Sequence, residues 1–505
     1  MDLIHKTLCR DPIGRPQTAA QLAEELERFT LSTHGELMRR GAVAQALSAL
    51  GVDLVPRTHQ RIGAVGMTTL FGPVQVEHTS YQMPGVEGLQ PLDAMLNVPP
   101  ESYSLGVSRR IALEVAKSSF EEAVTALKET TGARVPKRQL QELTVRAAVD
   151  FDEFYKRRAV RPPVLTAVPQ GFHEELVVLT ADGKGVVMRR EALLEATRRA
   201  AEAEEHKMDK RLSKGEKKNR KRMATVAGVY TILPNPRTPE DILSDLAPVR
   251  LVESEQERPR PQDKRVWASL IKTQEMVLRE AFEEAQRRDP HRLRTWVALS
   301  EGNRKQLELF QALAQEYHVP LTIILDIIHV LEYLWKATTV FNKEGTPAAE
   351  QWVNERFLEV LRGRGSQVAG GIRRSAIKRG LTKTQRKAAD KCASYLLKYG
   401  SFMHYSEYLD RGFPIATGVI EGACRYLIKD RMDITGARWG LDSAEAVLRL
   451  RALRTSGDFM EYWTFHERCE YERNHAARYA GGEVPGLLPP AQTARPRRGH
   501  LTLVN

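Results

Sequence analysis

The sequence predicts an α/β fold with added helical modules, and three observations carry that expectation. Two short apolar runs, "LVVLTADGKG" and "LTIILD", read as buried strands that stop at an acidic residue, Asp182 and Asp326. Long stretches such as "SLGVSRRIALEVAKSSFEEAVTALKETTG" carry apolar residues at spacings of three and four, the period of an amphipathic helix. A content of 42% hydrophobic residues over 505 positions supplies ordinary cores for roughly two to four domains.

Composition narrows the function classes. Lys and Arg number 76 against 64 Asp and Glu, a formal charge of +12 that favours polyanionic partners. The four cysteines, Cys9, Cys392, Cys424 and Cys469, form no C-x-x-C pair, so neither a disulfide framework nor a zinc ribbon is indicated. No uncharged apolar run is long enough to span a bilayer and the first residues lack a signal-peptide pattern, so the expectation is a cytoplasmic, nucleoid-associated protein without a membrane partner.

Taken in order, residues 1–30 read as two helices around a Pro-bounded turn, with Thr18 and Gln21 at capping-box spacing. Residues 31–157 read as a mainly helical region of the kind used for DNA binding, with a short helical stretch over 34–55. Within it, "MTTLFGPVQVEHTSY" (67–81) alternates around Gly72-Pro73 as a hairpin does, and Gly132 and Pro136 divide two helical stretches between 104 and 158. The Pro-rich stretch 158–173 reads as a linker. From 174 to 475 the pattern is strand ("EELVVLTADG"), strand ("MATVAGVYTIL"), strand ("TWVALSEG"), helix ("NRKQLELFQALAQEYH") and strand ("LTIILD"). That order opens a ribonuclease-H-like core, in which the first and the last of these strands are expected to lie side by side so that Asp182 faces Asp326. Residues 331–410 read as a helical insertion, a Gly-bearing turn then leads into a helix carrying Glu421 in its first turn, and 476–505 read as a flexible tail.

Two strand-end aspartates and a helical glutamate can hold a pair of Mg²⁺ ions, because that hard cation prefers carboxylate oxygens, and such a pair activates the attacking oxygen and stabilises the leaving one in phosphodiester chemistry. Asp182, Asp326 and Glu421 are therefore the candidate catalytic and metal-binding residues, with His329 beside Asp326 either orienting a phosphate or a water, or filling a polar niche. Glu301 in "LSEG" also ends a strand but reads as a turn residue. The segment 207–222 has nine basic residues against Asp209 and Glu216. Its Lys217, Lys218, Arg220, Lys221 and Arg222 are candidate DNA contacts, as are Arg425, Lys429, Arg431 and Arg438 near Glu421. Trp439 is a candidate to stack on a base, or a core aromatic.

The blocks "VVLTADGKGV", "ILDIIHVLEYLW" and "GVIEGACRYLIKDRMDITGARWG" resemble the three catalytic blocks of DDE transposases of bacterial insertion sequences, most closely the ISKra4 family. "FGPVQVEHTSY", "PLDAMLNVPPESYS" and "DFDEFYKRR" are similar to that family's N-terminal region, so the resemblance covers about residues 35 to 475. It implies a ribonuclease-H-like enzyme using two Mg²⁺ or Mn²⁺ ions on Asp182, Asp326 and Glu421. It also implies double-stranded DNA partners at element ends and target, and a homo-oligomer. The opening "CRDPIGRPQTAAQLAEELERF" resembles instead the end of a protein-kinase catalytic domain, without the phosphate-binding and catalytic parts a kinase needs. The competing readings are a tyrosine recombinase, for which only isolated H-x-x-R pairs at His291 and His475 speak, and a catalytically inactive DNA-binding relic of a transposase.

Overall fold

Five strands of one mixed sheet organise the larger part of the chain, and each is recruited by a run of β-branched or aromatic residues buried on both faces. The computed structural model describes residues 49–158, 175–203, 220–245, 258–434 and 436–485. The kinase-like opening, the linker over 159–173, Lys217 and Lys218, and most of the tail lie outside the described residues. The chain divides into two units, one of 1–111, 124–136 and 463–505, the other of 112–123 and 137–462. The smaller one thus takes in residues from both ends of the chain.

In the smaller unit, β1 (Ala49–Leu50) pairs with β2 (Pro56–Arg57), and β3 (His59–Thr69), β4 (Gly72–Met83) and β5 (Val86–Leu89) form an antiparallel sheet. Of the expected helix over 34–55, the described residues 49–55 are not helical and hold strand at Ala49–Leu50. The hairpin is longer than the alternation suggested, and Gly72, with φ of 116°, closes its turn in a conformation only glycine adopts readily. Tyr81 and Leu89 pack with Ala94 of α1 (Pro91–Leu96) and with Tyr479. The stretch expected as one helical run over 104–132 is two helices, α2 (Leu105–Lys117) and α3 (Phe120–Thr130). The break is made by a reciprocal cap in which Ser119 Oγ accepts from Glu122 N and Glu122 Oε2 accepts from Ser119 N. Residues 112–123 of α2 and α3 fall in the larger unit, as do α4 (Lys137–Arg146) and α5 (Phe151–Arg157), which follow. The described part of the N-terminal region thus combines these strands with five helices.

In the larger unit, β6 (Leu176–Val187) is followed by α6 (Glu195–Glu202), β7 (Lys221–Ile232), α7 (Pro239–Asp245), β8 (Gln262–Ser269), α8 (Gln274–Arg288), β9 (Thr295–Ser300), α9 (Arg304–Glu316) and β10 (Leu321–Leu325). The sheet order is β10-β9-β6-β7-β8, with β6, β9 and β10 parallel and β7 antiparallel to both of its neighbours. Residues Val177, Val178, Leu179, Val297 and Ala298 are fully buried, as a parallel sheet covered on both faces requires.

Two departures from the sequence expectation matter for the site. Strand β8 and helix α8 were not anticipated, because "QDKRVWAS" opens with charges and "QEMVLREAFEEAQRR" carries many. Arg265 of β8 is nonetheless buried, paired at 2.7 Å with Glu284 of α8 and stacked over the rings of Tyr155 and Trp267 at 3.5 and 4.4 Å. Strand β10 is not the neighbour of β6. Strand β9 lies between them, so Asp182 and Asp326 are not on adjacent strands and Glu301 takes the position beside Asp182.

Beyond β10 come α10 (Ile327–Thr338), α11 (Pro347–Leu361), α12 (Gly365–Lys378), α13 (Lys387–Lys398) and α14 (Tyr405–Asp410). Helix α15 (Gly418–Ala423) continues through a π-helical segment, Cys424–Lys429, into α16 (Asp430–Met432), and α17 (Leu441–Ser456) and α18 (Phe459–Asn474) close the order. Among the described residues, no helix is long and apolar enough to cross a membrane.

Candidate functional site

Parallel strands β6, β9 and β10 deliver an acid each to one end of the sheet. Pairing between β6 and β9 stops at Thr180 and Leu299, while β6 runs on against β7 through Asp182 opposite Val226. Asp182 is therefore inside a long strand and not at its end, yet it stands just beyond the parallel ladder, where active sites of such sheets collect. Beneath Asp182, Gln306 of α9 donates to the Ala181 carbonyl at 2.7 Å and accepts from Ser300 Oγ at 2.6 Å, tying the end of β9 to β6.

Glu301 follows β9 and precedes Gly302, whose φ of 92° turns the chain sharply away. Its carboxyl is pushed up to about 7, first by burial, then by the negative charge of Asp182, with smaller contributions from Asp326 and Glu421 and a partial offset from His329. Glu421, in the first turn of α15, is likewise raised, by burial and then by Asp326, with a smaller contribution from Asp182. Like charges that perturb one another in this way mark a place where a cation would relieve repulsion.

Asp326 has a different environment. It is 0% exposed and caps α10. Oδ1 accepts from Thr417 N at 3.0 Å and Ile328 N at 3.4 Å, and Oδ2 accepts from His329 N at 3.2 Å. The buried carboxylate inside the most apolar run of the chain is thus satisfied by backbone donors. His329 lies with Nδ1 3.3 Å from Asp326 and Nε2 3.7 Å from Glu301, and its proton affinity is raised chiefly by the hydrogen bond to Asp326. A protonated His329 bridges the two acids.

Cys424 is a residue that sequence reasoning did not connect to the site. Its thiol donates to Asp182 Oδ2 at 3.1 Å, and burial followed by the nearby Asp182 charge holds it firmly protonated. It opens the π-helical segment, a local widening that recurs where a helix carries a functional group, and no local sequence pattern announces it.

The basic candidates separate into two groups. Arg425, Lys429, Arg438 and Lys221 are exposed. Arg431, Trp439 and Arg220 are buried, and Arg222 is spoken for internally, which corrects their assignment as DNA contacts. Arg431 donates to the Val115 carbonyl at 3.2 Å and lies between the rings of Phe120 and Trp439 at 5.3 and 4.7 Å. Trp439 donates to the Met432 carbonyl at 3.1 Å. Arg222 donates to the Leu270 and Ala192 carbonyls at 2.8 and 3.3 Å.

The carboxylates open on a cavity of about 460 Å³ that Asp182, Glu301 and His329 line on one side. Asp182 and Glu301 are half-buried and Glu421 is exposed, and carboxylate oxygens are the hard donors that Mg²⁺ or Mn²⁺ prefers. No protein-family profile matches the chain, and no curated protein is similar to it.

Proposed function

We propose that the chain is a DNA transposase of the insertion-sequence type, cleaving DNA strands and transferring them with the help of divalent cations. The observation that carries this reading is that acids gather at one end of the sheet, where the charges of Asp182, Asp326 and Glu421 all raise Glu301, and those of Asp326 and, less, Asp182 raise Glu421. The strand order β8-β7-β6-β9-β10, with β7 alone antiparallel, supports a ribonuclease-H-like core, and the helices between Thr338 and Asp410 would be its insertion. The resemblance of the three sequence blocks points to the same chemistry.

In this reading Asp182, Glu301 and Glu421 hold the cations. Asp326, whose oxygens are committed to backbone N–H groups, anchors α10 and His329 behind them. Bound divalent ions would supply Lewis acidity at the phosphate and a lowered pKa for an attacking water or 3′ hydroxyl. His329, hydrogen-bonded to Asp326 and 3.7 Å from Glu301, stands behind the Glu301 carboxylate. Cys424 donates to Asp182 Oδ2 and Gly183 N donates to Oδ1 at 2.6 Å, which fixes the carboxylate while each oxygen keeps a further lone pair for a ligand. Exposed Arg425, Lys429 and Arg438 hold the phosphate backbone.

The test is nicking of supercoiled plasmid by the purified chain with Mg²⁺ or Mn²⁺ and with chelator. Cation-dependent nicking that Asp182→Asn and Glu301→Gln abolish supports the reading. Nicking in chelator contradicts it. The second reading, a catalytically inactive DNA-binding relic, draws on Asp326: if a cation needs that carboxylate, its engagement by backbone leaves the site without a ligand. Binding of DNA without nicking under any cation would favour it.

A further inference from the structure

The cavity beside the carboxylates has a second wall that the cleavage reading leaves unused. It is built by α10 and α13: Tyr333, Tyr395 and Tyr399 with Lys391 and Lys398. Tyr333 and Tyr395 stack at 4.0 Å with rings 15° apart, and Tyr399 meets Tyr395 edge-on at 4.9 Å. Their hydroxyls hold the loop that carries the acid. Tyr399 donates to the Gly302 carbonyl at 2.7 Å and Tyr395 approaches the Glu301 carbonyl at 3.5 Å. The wall therefore keeps a fixed position relative to Glu301.

Charge divides the cavity. Asp182 and Glu301 make one side negative, while Lys391 and Lys398 are exposed at the other. Lys398 donates to Tyr399 at 2.9 Å and sits 4.6 Å from its ring centre. Lys391 has no hydrogen-bond or ion-pair partner among the described residues. Aromatic rings with lysine ammonium groups on one side match a group that is planar in its middle and phosphorylated at one end, and the carboxylates on the other side would take a second phosphate only across a divalent cation. A cavity of about 460 Å³ is in the ~300–1,000 Å³ range of small-ligand clefts.

Resting on the cleavage reading, we propose that this cavity receives one nucleotide of the DNA, swung out of the helix next to the phosphate to be cut. The base lies against the tyrosine wall, one phosphate meets Lys391 and Lys398, and the other faces the carboxylates. Extruding a nucleotide costs unstacking energy, which stacking on aromatic rings returns, and it gives the acidic cluster access to a phosphate that a closed duplex would hold away.

The experiment uses the full chain and two probes: an oligothymidylate of about twelve nucleotides carrying a single 2-aminopurine, and free dAMP. The expected result is quenching of the 2-aminopurine fluorescence on binding. Lys391→Gln and Lys398→Gln should each weaken oligonucleotide affinity about five-fold, and Tyr333→Leu should remove most of the quench while Tyr333→Trp keeps it. Tyr333 is only partly buried, so these variants fold, which their unchanged thermal midpoints should show. Equal affinity and quench in wild type and variants overturns the proposal, as does absence of oligonucleotide binding. Tighter binding of free dAMP than of the oligonucleotide overturns the assignment to DNA. Wild-type nicking of plasmid together with unaffected variants sinks the pocket and leaves the cleavage reading standing, whereas pocket binding without nicking does the reverse.

Discussion

Two glutamates of the larger unit, Glu284 and Glu301, show how differently one fold can treat a carboxylate. Glu284 of α8 is buried with Arg265, Arg287 and Arg288, paired to it at 2.7, 2.8 and 2.8 Å. Although burial opposes its charge, the three guanidinium groups hold its carboxyl far below the usual range. Glu301 has Asp182 as its first electrostatic neighbour and is pushed up to about 7. The first arrangement is complete in itself. The second leaves like charges side by side, and in the proposed reading a cation completes it, so the contrast would separate a structural acid from a functional one where burial alone does not.

The largest expected effect lies on the functional side. Glu301→Gln and Asp182→Asn should lower cation-dependent nicking by ~10³-fold or more while DNA binding persists. Glu284→Gln should leave the chemistry of folded protein intact but destabilise it by about 3–5 kcal/mol, because three arginines are left without a partner. Measured nicking per folded molecule, beside urea unfolding, separates the two.

Next comes the opposite sign in stability. Without cations, Glu301→Gln should stabilise the chain, by about 1–2 kcal/mol after allowance for solvent screening, since it removes a repelled charge. The pH dependence follows. Glu301 has a folded pKa raised above its unfolded value, so the native state holds the extra proton and stability falls as pH rises from about 4.5 to about 7. Glu284 has a folded pKa below its unfolded value, so its contribution is present above the unfolded pKa and is lost as pH falls. Thermal midpoints of wild type and each Gln variant across pH 4 to 8, in chelator, should diverge in opposite senses. Parallel curves would erase the distinction.

A smaller effect sharpens the same contrast among cations of the protein itself. Replacing exposed Arg425, Lys429 or Arg438 by Gln should flatten the salt dependence of DNA binding by up to about 0.9 per lost contact. Arg431→Gln should instead lower the thermal midpoint, because Arg431 is sandwiched between Phe120 and Trp439. An Arg431 variant that keeps its midpoint and loses salt dependence would return that residue to the DNA surface.

What the sequence made legible was whatever periodicity encodes. The runs around Val178, Val229, Val297 and Ile324 read as strands because they are buried on both faces, and the helices after Asp326 read from their spacing. Strand β8 was hidden because Arg265 interrupts its apolar pattern, a charge that only its partners Glu284, Tyr155 and Trp267 make tolerable. That omission shifted the strand count by one and placed Asp326 beside Asp182, where β9 and Glu301 stand. Asp326 reads as an acid in use because its flanks are apolar. The donors that satisfy it include Thr417 N, far along the chain, which no local reading foresees. Cys424 and the tyrosine wall were invisible for the same reason, being assembled from segments distant in sequence.

The most direct measurement is Mn²⁺ binding to the full chain, followed by calorimetry, for wild type, Asp182→Asn, Glu301→Gln and Asp326→Asn. The account predicts binding by wild type, with release of protons near neutral pH from Glu301. It predicts loss of binding in the Asp182 and Glu301 variants, and in Asp326→Asn a lowered thermal midpoint with binding retained by the folded fraction. Binding that survives Glu301→Gln and vanishes in folded Asp326→Asn would contradict it and return the metal site to Asp182, Asp326 and Glu421.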